Sequence, residues 1–69
     1  MIDLRKLRKS KGWTQADVEN RTGIDASAQS FYENGLRIPT VKHAMKYGEL
    51  YGFQWSEIFE GIEYDEQRV

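Results

Sequence analysis

Cysteine is missing from the 69 residues, and proline and histidine occur once each, as Pro39 and His43. Without cysteine, neither a disulfide nor a thiolate metal site is available. There is no Ser/His/Asp set, metal-ligand cluster or glycine-rich phosphate loop, so neither enzymatic chemistry nor a metal or cofactor is expected. No apolar run approaches the ~20 residues of a membrane span. The opening M-I-D-L-R-K-L-R-K has no apolar core of the kind a signal peptide needs. These absences predict a soluble, cytoplasmic protein. A chain this short buries little surface and must pack efficiently, usually as helices.

What is present is charge, unevenly placed. Residues 1–48 carry nine Lys and Arg against five Asp and Glu, a balance of +4. Residues 49–69 carry Arg68 against six acids, a balance of −5. A basic front and an acidic tail confine any nucleic-acid contact to one side.

The stretch from Trp13 to Pro39 organises the rest. Thr14 is placed to cap a helix, with Asp17 three residues on to complete a capping box, and Trp13 and Val18 occupy hydrophobic-staple positions. That helix spans Gln15 to Thr22, and Gly23 ends it in the left-handed conformation. Asp25 caps a second helix over Ala26 to Glu33, closed by Asn34-Gly35. Two short helices joined by a glycine-containing turn make a helix-turn-helix unit. Before it, Leu4 and Leu7 give a helical spacing over residues 3–11, with Asp3 as cap. After it, Thr40 caps a helix over 41–51 whose inward stripe is Val41, Ala44, Met45, Gly48 and Tyr51. Trp55, Ile58 and Phe59 anchor a short fifth helix from Gln54, a weak cap, to Gly61. The predicted architecture is an all-α bundle of about five short helices over residues 1–61, with an acidic tail over 62–69. Its core should contain Leu4, Leu7, Val18, Ile24, Tyr32, Val41, Tyr51, Ile58 and Phe59. His43 reads as a surface or helix-end residue.

The words K-G-W-T-Q, R-T-G-I, Y-E-N-G and R-I-P, followed by L-Y-G-F and S-E-I-F, fall in order and without a gap from about Leu4 to Phe59. In these the chain resembles the phage-repressor (Cro/CI-type, XRE-like) helix-turn-helix family. The resemblance implies a lambda-repressor-like domain with the motif as helices two and three. It also implies that Arg8 and Glu33 form an ion pair clamping the first helix to the end of the third. The sequence departs from the family inside the motif, where Glu19, Thr22 and Gln29 replace the usual Ala, Leu, and Ile or Val. An unpaired buried carboxylate is costly. Either Glu19 and Gln29 bond each other, or the helix crossing opens and both reach water.

The resemblance further implies a small sequence-specific DNA-binding transcriptional regulator of repressor type. Its third helix would enter the major groove of a double-stranded operator. Gln15, Asn34, Arg37, Thr40 and Lys42 are then candidates for phosphate contacts. Ala26, Ser27, Ser30 and Phe31 face the bases. None of these four is an Arg, Lys, Asn or Gln, the side chains that make bidentate base contacts. The alternative is a protein-binding module, such as an antirepressor that uses the same face to dock on a repressor. A homodimer is expected through Trp55, Phe59, Ile62 and Tyr64.

Overall fold

The computed structural model describes residues 2–60. The chain forms α1 (Leu4–Ser10), α2 (Gln15–Thr22), α3 (Ala26–Glu33) and α4 (Val41–Tyr51), followed by a 3₁₀ segment, Trp55–Phe59. No strand occurs among the described residues. The fold is the all-α helix-turn-helix bundle that the sequence predicts. Gly61, expected to close the fifth helix, and the acidic tail lie outside the described residues.

Each α-helix begins with the same local chemistry. Asp3, Thr14, Asp25 and Thr40 accept side-chain hydrogen bonds from the amides of Lys6, Asp17, Ala28 and His43. These bonds satisfy donors that a helix start leaves unpaired. At α2 the box closes in both directions, because the Asp17 carboxylate accepts from the Thr14 amide at 2.8 Å. Gly23 ends α2 at φ +78°, a left-handed turn into Ile24 that points α3 across α2. The 3₁₀ segment starts differently. Gln54 does not cap it with its side chain, and the Glu57 carboxylate instead accepts from the Gln54 amide at 3.0 Å.

The buried apolar core is Leu4, Val18, Ile24, Ala44, Tyr47 and Ile58, with Trp13, Tyr32, Tyr51, Trp55 and Phe59 among the half-buried residues packed on it. One expected core position and one further position of the expected inward stripe are overturned. Val41 is 53% exposed, and Met45, placed in the inward stripe, is 51% exposed. At 3.6 residues per turn, the face of α4 that points inward runs through Ala44, Tyr47, Gly48 and Tyr51. Met45 lies about 110° from its centre and Val41 about 70°, on the first turn. Tyr47, absent from the expected core, is one of its largest fully buried side chains. It stacks on Tyr51 at 6.1 Å and meets Tyr32 edge-on at 6.2 Å. Leu7 is only half-buried.

The expected alternatives for Glu19 and Gln29 are both overturned. Gln29 is fully buried and donates from Nε2 to the carbonyls of Gln15, at 2.8 Å, and Ile24, at 2.9 Å. Glu19 is exposed and accepts from the Ala26 amide at 3.0 Å, adding a second carboxylate to the start of α3. Both side chains are thus engaged by backbone groups, Gln29 at the start of α2 and in the turn, and Glu19 at the start of α3. Thr22 has a similar local task. Its hydroxyl donates to the Val18 carbonyl and accepts from the Ile24 amide, closing the turn that leads into α3.

Gly48 is where α4 meets the 3₁₀ segment. A Cβ there would stand 2.8 Å from the Phe53 carbonyl oxygen and 3.2 Å from Trp55 Cα and Cβ. In a free helix, alanine for glycine gains about 1 kcal/mol. Here the clash with backbone outweighs that gain, since overpacking costs about 1–3 kcal/mol. Gly48→Ala should therefore lower the melting temperature, and an equal or higher value in thermal melts would refute the close approach.

Candidate functional site

The polar face of the motif is assembled around one carboxylate. Glu33 is the last residue of α3 and its side chain is 2% exposed. Arg8, on α1, meets it with a fork: Nε donates to Oε2 at 2.8 Å and Nη2 to Oε1 at 3.0 Å. The remaining nitrogen, Nη1, donates to the Trp13 carbonyl at 3.0 Å, just before α2. The implied ion pair is present, in two-pronged geometry. Burial pushes the Glu33 carboxyl up, but the Arg8 hydrogen bond and charge, aided by Gln15 and Arg5, outweigh it and hold the carboxyl below its usual range.

Two candidate phosphate residues gather around this carboxylate, Gln15 directly and Asn34 through Arg5. Gln15 donates from Nε2 to Glu33 Oε1 at 3.4 Å. Asn34 accepts through Oδ1 from Arg5 Nη2, and donates to the Ser30 carbonyl at 2.9 Å and to the Ser30 hydroxyl at 3.4 Å. Arg5 was not among the candidates. It approaches Glu33 Oε1 at 3.5 Å, and its side chain is 43% exposed. The signal was available: Arg5 and Arg8 are three residues apart on α1 and so share a face. Gln15, Asn34 and Arg5 therefore form one partly exposed polar cluster.

The other candidates divide between a second grouping and separate positions. The Arg37 guanidinium sits over the Phe31 ring, 4.6 Å from its centroid, in a cation–π contact. The Leu36 and Arg37 amides both donate to the Phe31 carbonyl, folding the loop back on α3. Ser27 and Phe31 are exposed, whereas Ala26 and Ser30 are half-buried. Thr40 commits its hydroxyl to capping α4, and Lys42 is exposed on the first turn of that helix. Tyr32 and the half-buried His43 tie α3 to α4 through a 2.7 Å bond between the phenol oxygen and Nδ1, so His43 serves the packing rather than the surface. Trp55 and Phe59 pair edge-on at 6.1 Å. Ile62 and Tyr64, their expected companions in a dimer surface, lie outside the described residues.

Cutting the clamp on one side leaves an uncompensated buried charge, which costs about 3–5 kcal/mol, against about 0–1 kcal/mol for an exposed pair. Arg8→Ala and Glu33→Ala should each fall near the larger figure, and the double mutant should lose far less than their sum. Arg8→Lys should recover little, because an ammonium cannot span both oxygens and the Trp13 carbonyl. The Glu33 carboxyl is held below 4.5 in the fold. Its stabilisation is therefore present above that pH and lost as the pH falls through the lower folded value. Thermal melts of the unmutated protein and these four variants from neutral to acid pH test this; small additive losses with no acid dependence contradict it.

Comparison with known proteins agrees with this geometry. A family model described as helix-turn-helix matches residues 4–58. Over 59 residues the chain is 39% identical to the uncharacterized HTH-type transcriptional regulator YqaF of Bacillus subtilis strain 168, covering 86% of this chain and 78% of that protein. No solved structure matches. With the motif formed by α2 and α3 and the Arg8–Glu33 clamp in place, the chain belongs to the Cro/CI-type helix-turn-helix family.

Proposed function

We propose that the chain is a DNA-binding transcriptional regulator of repressor type, placing α3 in the major groove of an operator. The observation that carries this reading is the polar cluster at the end of α3, where Gln15, Asn34 and Arg5 converge beside the clamp. It offers amide and guanidinium donors at a position fixed by Arg8. Arg37, Thr40 and Lys42 extend the set along the loop and the start of α4, and they take phosphates with Gln15 and Asn34. Ala26, Ser27, Ser30 and Phe31 meet base edges. The serines hydrogen-bond nearly any base, while Ala26 and Phe31 suit a thymine methyl. A homodimer, with Trp55 and Phe59 in its interface, would set two copies of α3 about one DNA turn apart, ~34 Å.

A second reading is favoured by a specific observation. The large apolar side chains exposed among the described residues, namely Phe31, Leu36, Ile38, Val41 and Met45, all fall between residues 31 and 45, and Leu36 is 69% exposed. Such a grouping suits a protein surface as an antirepressor would use it, docking on the DNA-binding domain of a repressor.

Titration with mixed duplex DNA at low and then raised salt separates the two. A regulator that neutralises several phosphates binds at low salt and loses affinity steeply as salt rises. Arg37→Ala should reduce the salt slope by about one, while changes at Ser27 and Phe31 should alter sequence preference. Absence of DNA binding even at low salt defeats the first reading and leaves the second, in which Phe31→Ala should abolish binding to the repressor domain.

A further inference from the structure

Beyond the Arg8–Glu33 clamp, the charged side chains in contact with α3 are sorted along its length. At its first turn the Glu19 and Asp25 carboxylates accept from the Ala26 and Ala28 amides. At its last turn stand two guanidinium groups. Arg5 is bonded to Asn34 and lies 3.5 Å from the buried Glu33 carboxylate, and Arg37 stands over the Phe31 ring. A polyanion is repelled at the first turn and attracted at the last. On DNA, the bases are therefore approached most closely by the C-terminal half of α3.

Two of the four candidate base-facing residues lie in that half, Ser30 and Phe31. Ser30 is half-buried, and its hydroxyl already accepts from Asn34 Nδ2 at 3.4 Å. Phe31 remains 37% exposed with Arg37 above its ring. The Leu36 and Arg37 amides donate to the Phe31 carbonyl at 2.9 and 3.3 Å, which fastens the loop that carries the arginine. The ring is thus offered at the end of the helix beside a fixed cation.

A phenyl ring has neither a donor nor an acceptor for base edges. In the major groove those edges present polar nitrogens and oxygens, and the apolar group among them is the C5-methyl of thymine. Set against a polar atom, the ring removes its water and returns no hydrogen bond. Set against the methyl, it buries apolar surface. We propose that Phe31 reads a C5-methyl group in the major groove and is the specificity-determining residue of α3. The ring tests the methyl rather than the base that carries it, and 5-methylcytosine offers the same group. Methylation of a cytosine at that position of the operator therefore strengthens binding. The proposal rests on the DNA-binding reading above and names what that reading recognises.

The full chain is first used to enrich its preferred sites from random duplexes at low salt. Within the enriched site each thymine is replaced in turn by deoxyuridine, which removes the methyl and leaves the base pair intact. One position for each bound copy should weaken about fourfold, the worth of one buried methyl group. With a C·G pair at that position, methylating the cytosine at C5 should strengthen binding by a similar factor. Phe31→Ala should bind the thymine and deoxyuridine duplexes equally, and Phe31→Leu should keep part of the difference. The comparison of duplexes uses the unmutated protein, so it does not depend on any variant folding. Equivalence of thymine and deoxyuridine at every position overturns the proposal, as does an undiminished difference in Phe31→Ala or binding with no enriched site. In each of those cases DNA binding itself stands. Absence of duplex binding at low salt overturns the DNA-binding reading, and the proposal falls with it.

Discussion

A carboxylate that is 2% exposed has to be compensated, and Glu33 is compensated by one guanidinium that also holds two other parts of the chain. Arg8 reaches from α1 to the end of α3 with two nitrogens and to the Trp13 carbonyl with the third. Trp13 immediately precedes the Thr14 cap, so the same side chain locates α1, the start of α2 and the end of α3. The planar fork makes this possible, since its donors point in fixed and different directions. Gln15 and Arg5 then gather on the oxygen that Arg8 has already positioned. The polar cluster of the motif is in this sense a consequence of the clamp.

Local chemistry makes the helices legible in the sequence. Asp3, Thr14, Asp25 and Thr40 cap because their oxygens reach an amide three residues on, a relation contained in the sequence itself. The expected spans of α2, α3 and α4 coincide with the observed ones for the same reason. The side-chain environments were harder. Whether Val41 and Met45 or Tyr47 turns inward depends on the rotation of α4 about its axis, which its neighbours decide. Glu19 and Gln29 do not pair because backbone groups engage each of them, the Gln15 and Ile24 carbonyls for Gln29 and the Ala26 amide for Glu19, and side-chain chemistry alone does not reveal these partners. The Arg8–Glu33 pair spans 25 residues and was legible through family resemblance rather than spacing. Among the site residues, Gln15 and Asn34 were anticipated, but their convergence with Arg5 was not.

The crossing of α2 and α3 is specified by an amide where the family commonly uses an aliphatic side chain. Nε2 of Gln29 joins a carbonyl at the start of α2 to one in the turn that ends it. An aliphatic residue fills comparable space but cannot supply these bonds. The exchange is not free, for Gln29 Oε1 is buried without a partner among the described residues, as is the Tyr47 hydroxyl elsewhere in the core. An unsatisfied buried polar atom costs about 1–3 kcal/mol. Burial also pushes the Tyr47 phenol far above its usual pKa, so the group remains neutral. The domain therefore gives up some stability in its interior while fixing how its two motif helices meet.

The stack of Arg37 on Phe31 bears on both readings of the recognition face. It engages the π face of Phe31, and a guanidinium that contributes its own face to such a contact keeps its N–H donors at the edge. Stacking and phosphate binding are therefore compatible in one arginine. The contact holds cation and ring together, which reduces the ordering needed when either meets a partner. On DNA, the arrangement would deliver a phosphate contact and a thymine-methyl contact as a unit. On a protein, it would present an aromatic anchor with a cation at its rim, a combination well suited to an apolar pocket edged by carboxylates. The geometry of this pair is common to both partners. What divides them is α3 itself: on DNA, Ser27 and Ser30 would supply only weak discrimination between bases, so that in a DNA-binding role the affinity would have to come chiefly from the phosphate side.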